Sequence, residues 1–230
     1  MRRLTSETNL VALTNPNSPI SEVYRTLRTN IQYAEIDTPK QILMIASSQP
    51  DEGKTTTITN LAVTIAQEER KVLLVDADMR KPSLHQVFDK PNRIGLSSVI
   101  SNQFSWQEAV MDTMVEHLSV ITSGPIPPNP SEMLGSNKMK ALVQEWKNHY
   151  DVILFDTPPV LAVTDALIVS AFCDGVVLVV LAGKVKKEMV KKMKANLDRV
   201  QAQIVGVVMN KINPKDSEDI QLQYYETVRS

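Results

Sequence analysis

The chain has one cysteine, Cys173, in 230 residues, which excludes a disulfide framework. That fits a reducing compartment, with Cys173 in its apolar context serving as a small packing residue. No apolar run approaches the ~20 residues needed to span a bilayer, and the first residues lack the apolar core of a signal peptide. A cytoplasmic protein is therefore expected. Charge of one sign is lacking too: 25 basic residues face 26 acidic ones, a formal −1. That balance speaks against nucleic acid as an obligate partner. No internal repeat and no second domain is visible, and 230 residues suffice for one domain with a substantial core.

What is present is organised around one stretch. Ile42 to Ala46 is apolar and partly β-branched, the pattern of a buried strand. A polar turn containing Pro50, Asp51, Glu52 and Gly53 follows, and then a helix whose apolar residues Ile58, Leu61, Ala62 and Ile65 recur at helical spacing. Strand, loop and helix meeting at Gly53-Lys54-Thr55-Thr56 is the layout of a phosphate-binding loop. Backbone N–H groups of such a loop and of the first helical turn converge on phosphates, and the helix dipole adds positive potential. Gly53 keeps side-chain bulk out of the way. Lys54 can follow the β/γ-phosphates, and the Thr55 hydroxyl can ligate Mg²⁺. The glycine usual at the start of such a loop is replaced by Ser48.

The remaining strands supply acids. Lys71 to Val75 is a second apolar strand ending in Asp76-Ala77-Asp78-Met79-Arg80-Lys81-Pro82. Two aspartates at the carboxyl end of a strand lie where open α/β sheets bind ligands. Val152 to Asp156 repeats the pattern, and Asp156 has the context of a Mg²⁺-holding residue. Leu118–Ile121, Gly175–Ala182 and Ile204–Met209 are further strands. Between strands lie short helical pieces over 83–115, a stiff proline loop over 124–130, a helix ending about Tyr150 and a lysine-rich helix over 186–200. Lys184, Lys186, Lys187, Lys191, Lys192 and Lys194 are most simply a solvated face. The fold class is therefore α/β, a doubly wound, mainly parallel sheet with helices on both faces.

Before the first strand, residues 1–17 have the character of a mobile arm. Ser18-Pro19 then opens a helix with apolar face Ile20, Val23, Tyr24, Leu27, Ile31 and Ala34. Glu22, Arg25 and Arg28 flank that face, and intrahelical ion pairs are the simplest account of them. After the last strand, Asn210-Lys211-Ile212-Asn213 lacks the final Asp of a guanine-reading loop, so ATP is expected over GTP, with Asn210 near the base. The tail over 214–230 is polar and carries Tyr224 and Tyr225.

Taken together, Ser-Ser-Gln-Pro-Asp-Glu-Gly-Lys-Thr-Thr, Val-Asp-Ala-Asp-Met-Arg-Lys-Pro, Gly-Pro-Ile-Pro-Pro-Asn-Pro-Ser-Glu and Leu-Phe-Asp-Thr-Pro-Pro resemble one family. From about Pro19 to the tail, the chain is similar to the cytoplasmic bacterial tyrosine kinases of capsule and exopolysaccharide synthesis. The E-x-x-R-x-x-R pattern of Glu22, Arg25 and Arg28 is a further marker, and Ser48 is usual there. The resemblance implies an ATP- and Mg²⁺-dependent tyrosine kinase in which Lys54 and Thr55 bind phosphates and metal. It implies that Asp76 orients or deprotonates the tyrosine hydroxyl, while Asp78 and Asp156 hold the metal. It assigns Glu22, Arg25 and Arg28 to ring assembly, and Tyr224 and Tyr225 to phosphate acceptance in trans. Its implied partners are a membrane activator contributing its cytoplasmic tail to the site, a phosphotyrosine phosphatase and other protein substrates. Recruitment to the inner face of the membrane follows. The alternative is a ParA/MinD-like ATPase switch, but such proteins usually carry lysine where Gln49 stands and often a membrane-binding C-terminal helix, neither of which is present.

Overall fold

A computed structural model describes residues 10–34 and 40–212. Asn213, Tyr224, Tyr225 and the whole expected tail lie outside these residues, as do residues 1–9 of the expected arm and residue 35 of the expected 18–35 helix. In chain order the elements are α1 (Val11–Thr14), α2 (Pro19–Tyr33), β1 (Ile42–Ala46), α3 (Lys54–Ala66), β2 (Val72–Asp76) and α4 (Leu84–Val87). Next come α5 (Leu96–Ile100), α6 (Trp106–Ala109), β3 (Val110–Asp112), β4 (Leu118–Ile121), α7 (Pro130–Leu134) and α8 (Asn137–Trp146). The chain continues with β5 (Val152–Asp156), α9 (Asp165–Ser170), β6 (Gly175–Leu181), α10 (Lys187–Arg199) and β7 (Ile204–Asn210).

The seven strands form one sheet in the order β3-β4-β2-β5-β1-β6-β7, parallel throughout except for β3 against β4. Their nearly continuous apolar sequences follow from burial on both faces. Met44, Leu73, Ile153 and Leu178 point into a layer closed by Leu96, Leu142, Trp146, Val169 and Leu197. Leu43, Leu74, Leu154 and Val177 point the other way, against Ile58, Leu61 and Ile65 of α3. After β1 the chain winds toward β2 and β4; after β5 it winds past β1 to β6. The crevice at this change of direction opens beyond the carboxyl ends of β1, β2 and β5, where such sheets hold ligands.

Four local expectations are revised. Residues 10–17 are not an arm: Leu10 and Ala12 are buried, and the Ala12 N–H donates to Asn60 Oδ1 at 2.9 Å. The packed face of α2 holds in its second half, where Ile31 is buried and Leu27 packs against the core, and departs in its first half. Ser21 is buried, donating to the carbonyls of Val11 and Asn15, while Ile20 and Val23 are 58% and 63% exposed. The single helix expected up to Tyr150 is two, because Ser136 caps α8 by accepting from the Met139 N–H. Finally, the 83–115 region ends in an antiparallel edge strand, β3, rather than in helical pieces alone. The lysines of 184–194 are all exposed, as expected of a solvated face. Cys173 packs against the core, where burial pushes its thiol pKa up.

Candidate active site

The turn after β1 is built around a carboxylate. The Glu52 side chain points inward, fully buried, accepting from the Ser48 hydroxyl at 2.6 Å and from the backbone N–H groups of Gln49 and Leu181. Ser48, which stands in place of the usual glycine, thus braces the turn from within. Glu52 therefore contributes its backbone, not its carboxylate, to the concave side of the loop. Asn210, expected near a base, is placed at the loop itself. Its side-chain amide donates to the Glu52 carbonyl at 2.8 Å and lies against Gly53. Gly53 has φ +95°, a conformation that favours glycine, and a Cβ there would displace the Asn210 amide from its bond. Lys54 begins α3 and is largely buried, and Thr55 and Thr56 follow in the first turn beside Pro50 and Asp51 at the exposed rim. An anion seated here meets helix N–H groups, the helix dipole and the Lys54 charge.

Opposite the loop stand three aspartates. Asp76 and Asp156 are register partners on β2 and β5, both buried. Asp156 Oδ2 accepts from the Thr55 hydroxyl at 2.6 Å, while its Oδ1 is buried without a partner. Burial, partly offset by the Thr55 hydrogen bond and the Lys54 charge, lifts its pKa to about 6. Asp76 is wrapped by backbone: Oδ1 accepts from the Asp78 N–H, and Oδ2 from the N–H groups of Ser83 and Leu84. Burial and the neighbouring Asp156 charge push its pKa well up despite those bonds. A carboxylate has about four acceptor positions, so one remains on Oδ1. Asp78 is half-buried, and its Oδ1 accepts from the N–H groups of Arg80 and Lys81.

Among the described residues, no three acidic, histidine or cysteine side chains converge tightly enough to cage a metal unaided. The arrangement still suits Mg²⁺, which takes one or two carboxylates together with phosphate and water oxygens. The orphaned Oδ1 of Asp156, the Thr55 hydroxyl and Asp78 supply hard oxygen donors beside the phosphate loop.

Residues 40–211 match the AAA domain family. The chain is 47% identical over 219 residues to the tyrosine-protein kinase YwqD of Bacillus subtilis, covering 95% of this chain and 92% of that one. It is 41% identical to the putative tyrosine-protein kinase CapB of Staphylococcus aureus, covering 91% and 92%. Among solved structures it superposes on the chimerical protein CapA2B2 with TM-score 0.86 and 43% identity, over 89% of this chain and 90% of that one. The chain belongs to the bacterial tyrosine-protein kinases.

In this kinase the structure brings together Lys54, Thr55, Asp76, Asp78 and Asp156 from three strand ends distant in sequence. It keeps Glu22, Arg25 and Arg28 apart from them, on α2. Glu22 and Arg25 form an intrahelical pair at 2.8 Å, and Arg28 reaches Glu68 at 2.8 Å and the Thr64 carbonyl at 2.7 Å. Two side chains of the kinase were missed from the sequence: Asp165, sealed from solvent at the start of α9, and Ser131 of α7. Both meet Arg80, the residue two beyond Asp78. A charged residue heading the apolar run Ala166–Val169 was the one signal available.

Proposed function

We propose that this kinase transfers the γ-phosphoryl group of Mg-ATP to tyrosine hydroxyls, first to Tyr224 and Tyr225 of a second copy of the chain. The observation that carries the reading is the meeting of Lys54 and Thr55 with a buried, incompletely bonded Asp156. Bound Mg²⁺ supplies neutralisation of the charge that gathers on the β- and γ-phosphates. Lys54 and the N–H groups of Gly53 to Thr56 hold and orient those phosphates. Thr55, Asp78 and Asp156 are the residues that would hold the metal. Asp76, fixed by three N–H groups with one acceptor position left and a raised pKa, takes the tyrosine proton. ATP is preferred to GTP, since Asn213 stands where a guanine reader carries a carboxylate.

The ring reading has its own support: Ile20 and Val23, beside Glu22 on α2, are exposed among the described residues. Assembly through Glu22, Arg25 and Arg28 raises the effective concentration of each tail at its neighbour's site. A membrane activator of the polysaccharide machinery recruits and switches on the kinase, and a phosphatase resets it. Among the described residues no helix is long and apolar enough to cross a membrane.

The test mixes a Lys54→Met chain with a chain lacking Tyr224 and Tyr225 in Mg-ATP. Phosphate is expected on the Lys54→Met chain. A mixture that stays unlabelled, beside wild type that labels itself independently of dilution, places transfer within one chain and removes the ring.

A further inference from the structure

Arg80, Asp165 and Ser131 come from three separate segments: the turn after β2, the start of α9 beyond β5, and the start of α7 beyond β4. The Asp165 carboxylate has no solvent exposure, and each of its oxygens is engaged. Arg80 Nε donates to Oδ2 at 2.9 Å and Arg80 Nη2 to Oδ1 at 3.0 Å, a two-point grip. The Ser131 hydroxyl donates to Oδ1 at 2.6 Å and accepts from Arg80 Nη2 at 3.2 Å. The Thr164 hydroxyl lies 3.2 Å from Ser131 Oγ and completes the group. A planar guanidinium held at two points fixes direction as well as distance, which an ammonium cannot do.

The grip is mechanically continuous with the acids. The Arg80 backbone N–H, on the residue whose side chain is held, donates to Asp78 Oδ1 at 3.2 Å, and Lys81 adds a second bond at 2.9 Å. The Asp78 N–H in turn donates to Asp76 Oδ1. Asp165 lies nine residues beyond Asp156, so the same contact ties the turn bearing Asp76 and Asp78 to the segment that leaves Asp156. We infer that Arg80, Asp165 and Ser131 are positioning residues that set the spacing between Asp78 and Asp156 for the divalent cation of phosphoryl transfer. This rests on the reading of the site proposed above. It also gives a role to the stiff proline loop, whose sequence suggested none: Pro130 starts the short helix that delivers Ser131 to the grip.

The experiment titrates Mg²⁺ against a fluorescent ADP analogue bound to the full-length chain and also records thermal unfolding. Arg80→Ala and Asp165→Asn should raise the half-saturating Mg²⁺ concentration about 10–100-fold, the range for residues that orient metal ligands. ADP affinity without Mg²⁺ should stay within about twofold, because neither residue touches the phosphate loop. Arg80→Lys should fall between wild type and Arg80→Ala, and Ser131→Thr should retain the Mg²⁺ response that Ser131→Ala weakens. If Asp165→Asn does not fold, Arg80→Lys and the Ser131 pair carry the test, since the Arg80 side chain is 40% exposed. An unchanged Mg²⁺ midpoint in folded Arg80→Ala overturns the inference. So does an equal loss of ADP affinity with and without Mg²⁺, which is general loosening. Mg²⁺-dependent nucleotide binding in a wild type that never labels tyrosine would refute the proposed transfer while the positioning role stood. No Mg²⁺ effect in wild type would refute both.

Discussion

Glu52 and Asp156 are both carboxylates sealed from solvent at the mouth of the same crevice, and they are finished to different degrees. Three donors surround Glu52, from Ser48, Gln49 and Leu181. Asp156 has one side-chain donor, Thr55, and an oxygen with none. A buried polar atom without a partner costs about 1–3 kcal/mol, and of the four such atoms among the described residues Asp156 Oδ1 is the one on a side chain bonded to Thr55. The turn after β1 is thus braced within the chain itself, while the acidic side keeps an acceptor oxygen to spare.

The contrast breaks most sharply at chemistry. Lys54→Met should cut tyrosine phosphorylation by a factor of ~10²–10³ or more, the scale of losing a charge-stabilising group, while circular dichroism and unfolding stay near wild type. Asp156→Asn should reach a similar loss of transfer for a different reason, failing to respond to Mg²⁺ rather than to phosphate.

Stability should separate the two carboxylates by sign. Without nucleotide, Asp156→Asn removes a charge that burial disfavours and should stabilise the chain at pH 8 by roughly 1–3 kcal/mol. Glu52→Gln should instead destabilise it by about 1–3 kcal/mol, since an amide N–H₂ cannot satisfy every donor that faces it. Denaturant midpoints measured without Mg²⁺ decide this, and shifts of the same sign would erase the distinction.

The pH dependence sharpens it further. Burial lifts the Asp156 pKa to about 6 in the folded chain, above the ordinary aspartate value, so its proton favours the folded state. Its contribution to stability is fully present below the unfolded value of about 3.9 and is lost as pH rises through about 6. Mg²⁺ affinity should run the opposite way, weakening as pH falls through about 6. Calorimetric Mg²⁺ titrations between pH 5 and 8 should show that slope in wild type, and Asp156→Asn should flatten it. The smallest expected effect is at Asn210→Ala, where one hydrogen bond to the loop is lost. Nucleotide affinity should fall about three- to tenfold, corresponding to ~0.5–1.5 kcal/mol.

The same contrast explains what was legible. Strands buried on both faces must be apolar throughout, so β1, β2, β4 and β5 announce themselves within a residue, and the polar residues that end them stand out as ligands. The phosphate loop is local and so could be read locally. The grip on Asp165 joins Arg80 across 85 positions, and no local pattern encodes that partner. At three residues β3 is too short for an alternation to show. The buried face of α2 was read correctly at Leu27 and Ile31 but not in its first turns, because α1 folds back to receive the Ser21 hydroxyl, a tertiary contact that outranks helical periodicity.

The hydrogen bond from Asn210 to the Glu52 carbonyl joins residues 158 apart. On the ribosome, the loop emerges early and the strand that latches it emerges last among the described elements. Until β7 docks, the Glu52 carbonyl lacks the Asn210 amide, although Ser48, Gln49 and Leu181 can already hold the Glu52 carboxylate. The last support of the loop therefore arrives late in synthesis, and a truncated product ending before residue 204 should hold nucleotide more weakly than the intact chain.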